Sequence, residues 1–129
     1  APASAALLAD ITAHLVRQCQ REGKQAFPFG TYHLVAGGET NWCDYARFVV
    51  GEASKAGKIL KASRESIHPI TTADYPLPAP RPMNSRMATT KLRERLHLSG
   101  GMSKLSLLDS PWNAYVEQYV QELVRNGLI

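Results

Sequence analysis

The sequence predicts a small α/β domain, mainly helical, with a short two-stranded parallel sheet. Apolar residues recur at helical spacing in two long stretches, Leu7, Leu8, Ile11, Leu15, Val16 and Cys19 near the start and Trp112, Tyr115, Val116, Tyr119, Val120, Leu123 and Val124 near the end. Two β-branched runs, residues 31–35 and 66–71, flank a third helical stretch, the order expected of a parallel βαβ unit. Between the second run and the last helices lies a crossing, residues 75–86, that holds Pro76, Pro78, Pro80 and Pro82. Each proline removes a backbone donor and fixes φ near about −65°, so this segment is neither helix nor central strand but a stiff, extended loop.

In chain order, Ser4 is placed to cap a first helix running to about Gly23, with Arg21 and Lys24 suited to its C-terminal end. His14 lies near the apolar stripe and reads as a packed residue. Phe27, Pro28, Phe29 and Gly30 read as a turn into the first strand, Thr31, Tyr32, His33, Leu34 and Val35. Gly37 and Gly38 then make a tight turn into the next helix; the third glycine and following lysine of a phosphate-cradling loop are absent. Thr40 or Asn41 caps that helix, Asp44 sits in its first turn, and Trp42, Tyr45, Phe48, Val49, Ala53 and Ala56 form its buried stripe, with Trp42 as a structural anchor and substrate stacking as the alternative. Gly57 ends it. Residues 66–71 form the second strand, which Pro69 assigns to a sheet edge. After the proline crossing, Thr89 or Thr90 caps a short helix to about Leu96, and Ser99, Gly100 and Gly101 break it. Ser110 caps the last helix, Pro111 occupies its first turn and Gly127 stops it.

A chain of 129 residues fits one domain, 1–129, with a modest core, and 44% apolar with 20% charged residues argues against disorder. No apolar run approaches a membrane span. The first residues have neither a methionine nor the basic start of a secretory signal, and the chain reads as a piece of a longer protein. Cys19 and Cys43 lack metal-ligand spacing and read as small packed thiols of a reducing, cytoplasmic compartment. The net charge of +4 is concentrated: residues 81–97 hold Arg81, Arg86, Lys91, Arg93 and Arg95 against Glu94, while the remainder balances. With no carboxylate nearby in sequence, a stiff loop presenting Arg81, Asn84 and Arg86 suits a phosphate-bearing ligand, because guanidinium groups bond phosphate oxygens in pairs. The alternative is a proline-stiffened connector whose arginines are merely solvated.

Three stretches go further: Gly30 to Gly38 with its Tyr32, His33 and Leu34; Thr40 to Ala46 with Trp42, Asp44 and Tyr45; and the loop Arg81, Pro82, Met83, Asn84, Ser85, Arg86, Met87. In this order they resemble the C-terminal part of the dTDP-4-dehydrorhamnose reductase family, within the extended short-chain dehydrogenase/reductases. Met87 replaces the family's usual leucine, and Ala88 stands where aspartate is usual. The resemblance covers nearly the whole chain and implies a small C-terminal, substrate-binding lobe of a longer reductase. The family's N-terminal Rossmann domain is absent, since neither a Gly-x-x-Gly-x-x-Gly turn nor a Tyr-x-x-x-Lys pair occurs here.

The resemblance implies that the parent reduces the C4 ketone of dTDP-4-dehydro-L-rhamnose to dTDP-L-rhamnose, for cell-surface polysaccharide synthesis. NADPH, and Mg2+ as a further candidate, would belong to the full-length enzyme, catalytic residues to its other domain, and this piece alone would be inactive. Expected partners are the dTDP-sugar, the parent's own Rossmann domain and, for the full-length enzyme, a second copy. No membrane or nucleic acid is expected. Arg81 would contact the diphosphate, and Asn84 and Arg86 would share the anion, orient the loop or brace it through backbone carbonyls. A second reading is a non-catalytic regulatory protein similar to the methionine adenosyltransferase beta subunit. A third, a basic nucleic-acid-binding domain, rests only on the charge of residues 81–97.

Overall fold

The structure is a computed structural model that describes residues 1–23, 25, 28–75, 78–79, 82–98 and 102–129. Five helices account for its regular structure: α1 (Ala5–Glu22), α2 (Trp42–Lys55), α3 (Thr90–Leu98), α4 (Met102–Asp109) and α5 (Trp112–Arg125), with a 3-10 turn at Arg64–Ser66. The chain divides into two compact units, residues 1–38 with 87–112 and residues 39–86 with 113–129.

In the first unit, Ser4 caps α1 as its sequence position predicts: its hydroxyl accepts the Leu7 N–H at 3.0 Å. Leu7 and Ile11 of α1, Ala36, Leu92 and Leu96 of α3, and Leu108 of α4 are buried and form the core. His14 Nε2 and Gln18 Oε1 are buried here without a hydrogen-bond partner among the described residues. α3 packs on α4, and Arg93 secures the contact. Its guanidinium donates to the Leu108 carbonyl at 3.1 Å, to Asp109 Oδ1 at 2.6 Å and to Thr89 Oγ1 at 2.9 Å. A cation thereby satisfies a carbonyl that the end of α4 leaves without a helical partner. Lys91 ties the same unit together from the other side, donating to the Thr31 carbonyl at 2.9 Å with its ammonium 4.4 Å from the centre of the Tyr32 ring.

Gly37 makes an isolated parallel bridge with Pro111: its N–H donates to the Ser110 carbonyl at 2.9 Å, and its carbonyl accepts the Trp112 N–H at 3.0 Å. A Cβ on Gly37 would lie 2.7 Å from the Asp109 carbonyl oxygen, so only glycine lets the two backbones approach this closely. Gly38, at φ +80°, turns the chain beneath the Trp112 ring.

In the second unit, Asn41 caps α2. Its Oδ1 accepts the Asp44 N–H at 2.9 Å and its amide donates to Asp44 Oδ2 at 2.7 Å. Both α2 and α5 end in Schellman motifs. Lys58 N–H reaches the Ala53 carbonyl and Gly57 N–H that of Ser54; Leu128 N–H reaches Leu123 and Gly127 N–H reaches Val124. The pivots Gly57 and Gly127 have φ of +80° and +66°. Ala53, Val116 and Val120 are the buried apolar residues among those described in this unit.

The expected two-stranded sheet is not seen among the described residues, and this corrects the sequence reading. Side-chain bonds, two of them local, take the place of a ladder in residues 66–71. Ser63 Oγ accepts the Ser66 N–H, the Ile67 carbonyl accepts from Arg47 Nε at 3.0 Å, and the Thr71 N–H donates to Asp74 Oδ2 at 3.0 Å. In residues 31–35 the Thr31 carbonyl takes the Lys91 ammonium, and regular pairing begins and ends at Gly37. The helical share of the expected α/β architecture stands. It includes α4, which the sequence reading missed, and α3 extends to Leu98 rather than about Leu96.

Two members of the expected α2 stripe lie outside it, Ala56 on the surface and Trp42 at 78% exposure. Tyr119 of α5 is likewise 58% exposed. The tryptophan beside the Gly37–Gly38 turn is Trp112, not Trp42. Helical spacing gives the direction of a side chain, not whether a neighbour is there to cover it. Among the described residues no helix is long and apolar enough to cross a membrane.

Candidate functional site

The described residues of the basic loop up to Arg86 lie in the second unit, and residues 82–88 are exposed throughout. Arg81, the residue expected to contact a diphosphate, lies outside the described residues, as do Pro76, Leu77 and Pro80. Asn84 closes a local turn: its Oδ1 accepts the Arg86 N–H at 3.0 Å. This is bracing through a backbone N–H rather than through the carbonyls anticipated from sequence, and it fixes the direction in which the Arg86 side chain leaves the loop.

Arg86 Nη2 then lies 3.1 Å from Glu39 Oε2. The sequence reading placed no carboxylate near the loop; Glu39 overturns that, because the fold returns a residue from before α2 to the arginine. The two side chains are 68% and 63% exposed, so the pair contributes about 0–1 kcal/mol and exchanges readily for another anion. Asn84 and Arg86 are thus brought together with Glu39, and Glu39 stands three residues before Trp42. No local signal could have marked Glu39, since its partner is distant in the chain.

Trp42 opens α2 with its ring edge-to-face against Tyr45, centroids 6.1 Å apart and planes at 88°. The Asn41–Asp44 bonds hold the turn that carries it. Farther along the same unit, Asp74 accepts from the Thr71 hydroxyl at 2.6 Å and from its N–H, and these bonds hold its carboxyl below the usual range. Glu65 is lowered too, chiefly by its bond to backbone N–H and then by Ser63.

The remaining basic residues of the 81–97 cluster have structural work among them: Arg93 and Lys91 are engaged within the first unit. The Gly37–Gly38 pair serves close backbone packing against the end of α4 and does not form a cradle for a dinucleotide. Among the described residues no group of three or more His, Cys, Asp or Glu side chains could hold a metal ion, and Cys19 and Cys43 are free thiols. A pocket of about 410 Å3 in the first unit is lined mainly by apolar groups, including Leu15, Val16, Pro28 and Phe29.

Residues 1–123 match the RmlD substrate binding domain. The chain belongs to this family. It is 46% identical to a dTDP-4-dehydrorhamnose reductase of Salmonella typhimurium over 98 residues, 76% of this chain and 31% of that protein. It is 39% identical to one from Escherichia coli K12 and 38% identical to one from Shigella flexneri, each over 123 residues, 95% of this chain and 36% of the relative. The chain therefore spans about a third of the length of these curated relatives. No solved structure matches it significantly.

Proposed function

We propose that residues 1–129 act as one substrate-binding domain of a dTDP-4-dehydrorhamnose reductase, the enzyme that reduces the C4 ketone of dTDP-4-dehydro-L-rhamnose to dTDP-L-rhamnose. The family match over residues 1–123, with relatives so named, carries the reading. The exposed Arg86, held by a carboxylate it can exchange, agrees with it. In this role the domain binds the sugar nucleotide and orients it for a reaction whose catalytic residues lie in the rest of the parent. NADPH is assigned to that other part, because this chain lacks a dinucleotide fingerprint and its paired glycines are committed to backbone packing. The 129 residues alone are then without reductase activity.

Arg81 is the proposed diphosphate contact, with Arg86 sharing the anion and Asn84 holding the loop that presents it. Arg81→Ala in the full-length reductase is expected to raise KM for the sugar nucleotide roughly tenfold, the effect of losing one charge-assisted bond. An unchanged KM would reject that role. Titrating this chain with dTDP-L-rhamnose should move the backbone amide resonances of residues 83–86 while leaving those of α1 in place.

A further inference from the structure

Trp42 is the first residue of a 14-residue helix, yet its side chain is 78% exposed. An indole placed there without a covering neighbour exposes a large apolar surface to water, which is unfavourable. Its setting is nevertheless firm. Asn41 and Asp44 bond each other reciprocally across the first turn, and Tyr45, half-buried, meets the indole edge-to-face. The ring is supported on one side and open to solvent elsewhere.

Three residues upstream, Glu39 holds the Arg86 guanidinium at 3.1 Å. Three extended residues span at most about 11 Å, so the backbone that carries the indole lies no farther than that from the backbone of the residue holding Arg86. Trp42, Tyr45, Glu39, Asn84 and Arg86 all belong to the second unit.

We propose that Trp42 is the stacking platform for the nucleobase of a nucleoside diphosphate, with Arg86 leaving Glu39 to take the diphosphate. This deepens the sugar-nucleotide reading and rests on it. The chemistry is two-part: an aromatic plane binds a base by its π-face whatever the base's hydrogen-bonding edge, and a guanidinium binds phosphate oxygens in pairs. Glu39 opposes the second part, because its charge repels the diphosphate while it competes for Arg86. It thereby acts as a placeholder that keeps the arginine extended until a stronger anion arrives. Asn84 acts through Arg86, as a positioning residue, by bonding its N–H.

The two tryptophans allow a direct test, since Trp112 in the first unit, half-buried beside Gly38, is an internal reference. The indole N–H resonances of this chain would be followed during separate titrations with dTDP, thymidine and inorganic pyrophosphate into the millimolar range. The proposal requires dTDP and thymidine to move the Trp42 indole signal and leave that of Trp112. Pyrophosphate should move Arg86 Nε–H and leave Trp42. Trp42→Leu should weaken dTDP binding about tenfold, the size of one lost base stack, with the backbone amides of residues 113–125 unchanged as proof that the second unit is folded. Glu39→Gln should tighten dTDP and pyrophosphate roughly threefold and leave thymidine unaltered, since only the anion competes with the carboxylate. If dTDP moves the amides of residues 83–86 while the Trp42 indole stays put, or if Trp42→Leu binds dTDP as well as the parent chain, base stacking on Trp42 is wrong and the sugar-nucleotide reading stands. If no ligand moves any resonance, both are rejected for this chain.

Discussion

The two units of this chain bury their apolar residues very differently. Among its described residues the first holds five fully buried large side chains, Leu7, Ile11, Leu92, Leu96 and Leu108, drawn from three helices. The second buries Ala53, Val116 and Val120, and leaves Trp42, Ile59, Ile70, Tyr75 and Met83 more than 60% exposed. Interior leucines closing on one another make the first unit the stability reservoir. The second owes its form to a larger share of local devices: an Asn cap, two Schellman ends and the Ser63 and Asp74 turns, with the Arg47 bond to Ile67 as a longer-range tie. A unit held that way can present aromatic and basic groups to solvent without a deep core beneath each of them. The described residues proposed to meet the ligand, Trp42, Asn84 and Arg86, fall in that unit.

The largest expected effect is on the leucine core. Leu96→Ala should cost about 2–5 kcal/mol in a urea titration, while Val120→Ala in the second unit should cost about 1.5 kcal/mol. Equal losses would mean that the two cores carry equal weight. Glycines sharpen the contrast at the next level. Gly37→Ala forces a Cβ against the Asp109 carbonyl and should cost about 1–3 kcal/mol, since backbone cannot move aside as a side chain can. Gly57→Ala meets no atom and should cost about 1–2 kcal/mol, only the strain of a left-handed residue, read as a smaller drop in melting temperature.

The smallest effect concerns the Thr71–Asp74 turn. The Asp74 carboxyl is held low in the folded chain, so the turn's contribution is present above the ordinary carboxylate range and is lost as pH falls through the depressed value. Thr71→Val should return the Asp74 titration, followed by carboxyl carbon shifts, toward its ordinary position; an unmoved titration would remove the hydroxyl from the account.

Much of the helical framework was legible without coordinates because caps and stripes are local. Ser4, Asn41, Gly57 and Gly127 each act within one turn of their own position, and a sequence displays that neighbourhood whole. α4 was not legible: eight residues following Ser99, Gly100 and Gly101 carry too little periodicity to stand out, and their end is secured by Arg93 from another helix. The runs at 31–35 and 66–71 have the composition of strands, but a strand exists only by pairing, and composition says nothing of a partner.

The candidate site divides in the same way. The loop of Arg81, Asn84 and Arg86 was visible as chemistry, because proline stiffness and guanidinium charge are properties of the residues themselves. The Glu39 carboxylate on Arg86, and the open indole of Trp42 in the same unit, were not. What the sequence by itself determined was the helix ends capped by Ser4, Asn41, Gly57 and Gly127 and which segment is basic and stiff. Only the tertiary structure decided which residues were covered, which stayed open and which carboxylate met which cation, because burial and long-range pairing belong to distances in space that no spacing along the chain encodes.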